Sequence, residues 1–177
     1  DYLQVETDGQ LKKQLERLVE SQKLSEQERD CIRILDIRRF VDSGLGQRMK
    51  NAAVQRRLYR EQPFVIQRSA AMLDDLWQGE TVLVQGIIDA YFVEDGEIVL
   101  VDYKTDRVRR GQEQKLIDLY HVQLEDYAQA LERMTGKKVK EKIIYSFTLQ
   151  KEIVLQELHR AFCLTSIDSD VLVLQAL

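Results

Sequence analysis

The sequence predicts a mixed α/β sheet flanked by helices, with a helical extension at the N-terminus. Three observations carry that expectation. The segment VLVQGIIDAYFVEDGEIVLVDYKTD, residues 82–106, holds an Asp95-Gly96 dipeptide between two apolar runs, the strongest short-range hairpin signal. Both faces of that hairpin are apolar, so the sheet must be covered on both sides. A long amphipathic pattern follows it and then a further strand-like run, so a helix crosses between strands.

The elements follow in chain order. Residues 9–23 carry Leu11, Leu15, Leu18 and Val19 at helical spacing. Ser25 and Glu28 form a capping-box signature for a second helix through CIRILDIRRFVDS, with a break near Leu35-Asp36. Gly44 and Gly46 punctuate it, and a third helix is expected from Gln47 to about Leu58. Residues 1–58 therefore read as a helical extension without a catalytic motif, and residues 59–177 as the core. PFVIQRS reads as a strand with Pro63 at its beginning, where a missing N–H is tolerated. Leu73, Leu76 and Trp77 fit a short turn or helix. The hairpin strands span about 82–93 and 97–104. One face should carry Ile87, Tyr91, Val93, Ile98 and Leu100, the other Val84, Ile88, Phe92, Val99 and Val101. A helix from Gln112 to Met134 should bury Leu116, Leu119, Tyr120, Leu124, Tyr127 and Leu131 and end at Gly136. A strand at 141–149 then either extends to Leu155 or turns back, and VLVLQAL closes the chain as a strand or packed terminus.

Composition bounds the function. The 177 residues are 44% hydrophobic and 32% charged, with one proline and eight glycines, which suits one globular domain rather than a disordered chain. No apolar run approaches the roughly 20 residues of a membrane span, and no secretory signal is visible, so a cytoplasmic protein without a membrane partner is expected. The chain begins at Asp1 rather than Met and is read as a piece of a longer protein. Cys31 and Cys163 cannot form a four-cysteine zinc or iron–sulfur site. They read as reduced thiols, with a single disulfide as the alternative. A net charge of −4 argues against a general polyanion-binding surface but leaves room for local contacts. Arg107, Arg109, Arg110 and Lys115 cluster after the DYK segment and fit either phosphate contacts or a solvated basic turn.

The chemistry sits in the hairpin. Folded about Asp95-Gly96, residues whose numbers sum to 191 face each other, so Asp89 opposes Asp102. Like charges directly opposed destabilise a sheet, and a shared cation is the simplest remedy. Lys104 points to the face of Asp102. The backbone carbonyl of Tyr103 offers a third oxygen. Such donors suit magnesium, with manganese as a substitute. A metal polarises a phosphoryl oxygen and activates water, and a lysine stabilises the developing charge. A buried ion cluster is the alternative, but one lysine leaves a second carboxylate uncompensated. Gly86, three residues before Asp89, permits close approach of DNA or another segment. On residues alone, Gln123 and Tyr127 share a helix face as i and i+4 and read as a core tyrosine with a flanking glutamine.

G-I-I-D followed by V-D-Y-K-T-D, with Gln123-x-x-x-Tyr127 on the next helix, resembles the catalytic core of the RecB-like PD-(D/E)XK nucleases. Arg60-Glu61-Gln62-Pro63-Phe64 is similar to the segment introducing the first core strand in the AddA (RexA) family of helicase–nuclease subunits. The resemblance covers about residues 45–150. It implies a PD-(D/E)XK restriction-endonuclease-like fold, metal-binding Asp89, Asp102 and Tyr103, and a catalytic set of Asp89, Asp102, Lys104, Gln123 and Tyr127. Glu61 would be a neighbouring acid or extra ligand, or else a solvated charge. The implied reaction is magnesium-dependent cleavage of a DNA strand, the one ending 3′, delivered by a helicase portion of the same polypeptide. The implied partner is an AddB/RexB-type subunit, and the setting is end processing in repair and recombination. Two cysteines favour AddA over its iron–sulfur partner, so no iron–sulfur cluster is expected. No Walker A motif is present, so the motor lies elsewhere. The family's upstream metal-binding histidine has no match, because His121 and His159 both follow DYK; it would have to precede Asp1. A catalytically lapsed DNA-binding or docking module is therefore the alternative function.

Overall fold

A computed structural model describes residues 3, 5–69 and 79–155. Four helices, α1 (Asp8–Glu20), α2 (Glu26–Cys31), α3 (Ile34–Asp42) and α4 (Gly44–Val54), precede strand β1 (Leu58–Ser69). The hairpin β2 (Thr81–Glu94) and β3 (Glu97–Lys104), helix α5 (Glu113–Thr135), and strands β4 (Val139–Ser146) and β5 (Lys151–Leu155) follow. The order across the sheet is β1-β2-β3-β4-β5. Among the described strands only β3 and β4 pair in parallel, because α5 carries the chain back across the sheet between them; the other neighbours are antiparallel.

The hairpin forms in the expected register. Glu94 pairs with Glu97 and Ala90 with Val101, and the turn residues Asp95 and Gly96 both take positive φ, 54° and 86°. That is the backbone a two-residue turn of matching twist requires.

Both sheet faces are covered. On one, Leu116, Leu124, Tyr127, Ala128 and Leu131 of α5 pack on Tyr91, Ile98, Leu100 and Ile144. On the other, Phe40, Val41, Leu45, Met49 and Ala52 of α3 and α4 pack on Phe92, Val99, Val101, Ile143 and Tyr145. The helices preceding the core therefore form one of its two covering layers.

Several elements differ from expectation. The helix break falls at Ile32–Arg33, which lets α3 begin at Ile34 and set Phe40 and Val41 against the sheet. Helix α4 begins at Gly44 because the Ser43 side chain caps it, accepting the Gly46 N–H at 3.1 Å. Pro63 lies in the middle of β1, paired with Ile87; β1 is the sheet edge, where a missing donor is tolerated. The strand after α5 runs Val139–Ser146 rather than 141–149, and then turns back as β5, one of the two expected continuations. Leu119 is 65% exposed. It lies roughly 100° around α5 from the centre of the buried stripe, at about 100° per residue. Leu73, Leu76, Trp77, His159, Cys163 and the VLVLQAL terminus lie outside the described residues.

The two hairpin faces also exchange partway along β2. Ile88 and Val84 join the α5-side core with Tyr91, while Ile87 is 58% exposed. The switch occurs at Asp89, between the pairs Arg60–Ala90 and Gln62–Ile88. Glu61, opposite it on β1, has a left-handed φ of 50°. A local kink in two paired strands moves every side chain beyond it to the other face.

Gly86 serves this packing. A Cβ built there would lie 2.9 Å from the Phe64 ring, so the close neighbour is Phe64 of β1. That ring meets Tyr127 edge-on, with centroids 5.2 Å apart. Gly86→Ala is expected to cost about 1–3 kcal/mol through overpacking, read as a lower midpoint in thermal unfolding; an unchanged midpoint would refute the contact.

Candidate active site

The site lies where the hairpin ladder ends. Strands β2 and β3 are paired as far as Ala90–Val101. One step further, the Asp89 side chain replaces a backbone acceptor, and its Oδ2 accepts the Tyr103 N–H at 2.8 Å. Asp89 and Asp102 are thus not a simple opposed ladder pair. The Asp89 carboxylate reaches across to the backbone just after Asp102.

Asp102 is 1% exposed. Burial pushes its carboxyl up to about 6; Lys104 opposes that rise, and the charges of Asp89 and Asp106 add to it. Lys104 Nζ sits 2.7 Å from Asp102 Oδ2. Nevertheless, that buried oxygen receives no well-directed hydrogen bond. The contact is an ion pair off the lone-pair direction, which leaves acceptor capacity on the carboxylate.

Helix α5 supplies the other wall. Lys104 Nζ donates to Gln123 Oε1 at 3.2 Å, and Gln123 Nε2 donates to the Tyr127 hydroxyl at 2.7 Å. Burial raises the Tyr127 phenol, and the charges of Asp102 and then Asp89 contribute. Both carboxylates thus lie close enough for their charge to reach Tyr127. Asp102, Lys104, Gln123 and Tyr127 form one chain of contacts, and Asp89 stands beside it, bonded to the Tyr103 backbone.

Other expected residues are placed differently. The Tyr103 ring turns to the opposite face, with its hydroxyl 3.7 Å from Met49 Sδ and its ring edge-on to Phe40, so only its backbone reaches the site. Glu61 lies beside Asp89 through its backbone, but its side chain is exposed. His121 is exposed, with Nδ1 3.0 Å from the Asp118 carbonyl oxygen. Arg107, Arg109, Arg110 and Lys115 are exposed on the stretch from β3 into α5. Cys31 is a free, exposed thiol on α2.

Two contributors were not assigned site roles by the sequence. The Tyr120 ring lies under the Lys104 ammonium, which is 4.1 Å from its centroid. Its hydroxyl donates to Asp106, 3.0 Å from each carboxylate oxygen. Burial and then that hydrogen bond push the phenol up to about 12. The spacing Tyr120, Gln123, Tyr127 on one helix face was the available signal.

The donors fit a hard divalent cation. They are carboxylate oxygens, one of them buried without a directed hydrogen bond, and such oxygens are the ligands magnesium takes. Among the described residues, no three His, Cys, Asp or Glu side chains converge as a complete protein ligand set. Magnesium ordinarily keeps several waters and needs only one or two carboxylates. No helix among the described residues is long and apolar enough to cross a membrane.

Comparison with known proteins agrees with this geometry. The family profile of the PD-(D/E)XK nuclease superfamily matches residues 4–165. The A subunit of the ATP-dependent helicase/nuclease of Acetivibrio thermocellus is 44% identical over 139 residues, covering 76% of this chain and 11% of that protein. The protein of the same name from Clostridium beijerinckii is 37% identical over 158 residues, covering 86% and 13%. That from Clostridium perfringens is 34% identical over 154 residues, covering 84% and 12%. The chain thus spans 11–13% of the length of these relatives. The matched region contains both covering layers, the five strands and the acid–lysine–glutamine–tyrosine group, and the chain belongs to the PD-(D/E)XK nuclease superfamily, as a nuclease domain related to those of the AddA-type helicase/nuclease proteins.

Proposed function

We propose that this domain hydrolyses DNA phosphodiester bonds with magnesium, or manganese in its place, as the exonuclease module of an AddA-type helicase–nuclease. The observation that carries this reading is the placement of Lys104 Nζ between Asp102 Oδ2 and Gln123 Oε1, 2.7 and 3.2 Å away. Asp89 lies alongside, tied to the Tyr103 N–H.

Asp89 and Asp102, with the Tyr103 carbonyl, would hold the cation. Bound there, it would supply Lewis-acid polarisation of the phosphoryl group and a more acidic water. The chain's own residues do the rest. Asp89 braces the end of the hairpin through its bond to Tyr103. Gln123, held by Tyr127, keeps the Lys104 ammonium beside the carboxylates. Lys104 offers positive charge to the phosphoryl oxygens as water adds to phosphorus and the P–O bond to the leaving strand breaks. The departing alkoxide takes a proton, so charge balances.

The similarity to the helicase/nuclease relatives supports a wider setting. A helicase portion of the same polypeptide would deliver a single DNA strand, and an AddB/RexB-type subunit would complete the complex. The pair would process double-strand ends for recombinational repair in a bacterial cytoplasm.

The test is cleavage of end-labelled single-stranded DNA by the natural-length protein, titrated with magnesium and with manganese. Lys104→Ala is expected to lose about a hundredfold or more, as removal of one transition-state charge contact does. Equal rates for wild type and variant would overturn the reading. The lack of a histidine ahead of the DYK segment in this sequence supports a second reading, a lapsed module that binds DNA or docks a partner protein. It predicts binding without metal-dependent cleavage in the same assay.

A further inference from the structure

We propose that Tyr120 is a positioning residue for Lys104, its ring held in place by Asp106. This rests on the hydrolase reading above.

Lysine is a flexible chain ending in a compact charge. Beside a buried carboxylate, the ammonium is drawn toward full neutralisation of that acid. A fully directed pair would close the oxygens that a cation needs, whereas here the 2.7 Å contact is formed without a directed hydrogen bond to Asp102 Oδ2. The structure shows a competing attraction. The Tyr120 ring lies 4.1 Å from Lys104 Nζ, on a different element from Asp102. An aromatic face attracts a cation through its quadrupole without neutralising it. Of the three ammonium donors, one is used on Gln123, while the contact with Asp102 is an undirected ion pair. The ring sets where the ammonium stands, and a donor remains for a phosphoryl oxygen.

The ring is itself fixed at both ends. Its Cα is on α5, three residues before Gln123, so both side chains rise on the same helix face. Its hydroxyl is tied to both oxygens of Asp106, 3.0 Å each. Asp106 lies two residues beyond Lys104, so the loop leaving β3 clamps the ring that orients the lysine at the end of β3. A tyrosine serving only to fill the core would need neither the ammonium over its face nor a carboxylate at its tip.

The test uses the natural-length protein, with Tyr120→Leu removing the ring and Tyr120→Phe keeping it. Tyr120→Leu is expected to lower kcat on saturating single-stranded DNA by about ten- to a hundredfold, the cost of a misplaced catalytic group, with KM nearly unchanged and the protein still folded at the assay temperature. Tyr120→Phe keeps the ring but loses its tie to Asp106, so its kcat should fall by a few fold, between wild type and Tyr120→Leu. In a Lys104→Met background, Tyr120→Leu should cost nothing further, because the two act through one group. A readout independent of activity is the ring-current shift of the Lys104 ε-methylene protons under 13Cε-lysine labelling, with the signal identified by its loss in Lys104→Met. It should be upfield in wild type and Tyr120→Phe, and ordinary in Tyr120→Leu. An unshifted wild-type signal, an unchanged kcat in Tyr120→Leu, or an additive loss in the Lys104→Met background would overturn the proposal. A protein with the shift but no cleavage would overturn the hydrolase reading while upholding the Tyr120–Lys104 contact.

Discussion

Asp102→Asn is expected to abolish metal-dependent cleavage and, in metal-free buffer at pH 8, to raise the stability of the fold. The first effect follows from loss of a cation-holding carboxylate. Metal assistance contributes several kcal/mol, and at about 1.4 kcal/mol per tenfold the loss is about a thousandfold or more. The second follows from linkage. In the unfolded chain this carboxyl titrates near 3.8, and in the fold burial holds it near 6. Below pH 3.8 both states carry the proton and the group contributes nothing. As pH rises from 3.8 to 6, the unfolded state ionises first, so stability falls. Above 6 the full penalty stands, roughly 3 kcal/mol for about two pH units. That penalty is already net of the attraction of Lys104, which keeps its bond to Gln123, so asparagine should gain on the order of 1–3 kcal/mol, several degrees in Tm for a chain of this size. Melting curves at pH 5 and pH 8, with and without magnesium, check this. The variant's advantage should be present at pH 8, and should shrink at pH 5 and when magnesium is added. A wild type more stable than Asp102→Asn in metal-free buffer at pH 8 would refute the account.

Gly46→Ala should be the most destabilising small substitution in the helical layer. A Cβ at Gly46 would collide with the Phe40 carbonyl oxygen and would lie 2.7 Å from that of Val41. Both are backbone atoms, so no side chain can swing aside. The collision lies at the junction where Ser43 ends α3 and caps α4, and it places Phe40, Leu45 and Met49 against the sheet. Opening that junction would lift part of one covering layer. The expected cost is upwards of about 3 kcal/mol, the high end of overpacking, visible as a large fall in the midpoint of denaturant unfolding. Gly44→Ala is the control, because a Cβ there would meet only the Glu152 carboxylate at an ordinary 3.6 Å. If the two variants unfold together, the junction does not hold the layer.

The legible parts of the fold were those set by neighbours in sequence. Asp95-Gly96 dictated a tight turn, and that turn fixed the pairing of Ala90 with Val101. The apolar stripe of α5 and its end at Gly136, which takes a left-handed φ of 69°, were equally local. The same turn brought Asp89 near Asp102 and placed Lys104 beside it. Gln123 and Tyr127 were found through family resemblance, since their spacing alone could not separate a site from a core.

Other features depended on partners distant in the chain. The exchange of faces at Asp89 needs the left-handed Glu61 across the sheet. Strict alternation therefore put Ile87 inside and Ile88 on the wrong side. Pro63 could stand within a strand because that strand proved to be the edge. Leu119 satisfied a helical pattern but had no surface to pack against.

Sequence alone determined the hairpin, its register, and the presence of two acids and a lysine at one end of it, because turns and alternation are short-range properties. Only the tertiary structure decided that Asp89 bonds to the Tyr103 backbone, that Asp102 is buried enough to hold its proton to about pH 6, and that Lys104 lies between Asp102, Gln123 and the face of Tyr120. Those are consequences of packing α5 onto the sheet. Burial and distance set the electrostatics of an ionised group, and neither exists until the layers have closed.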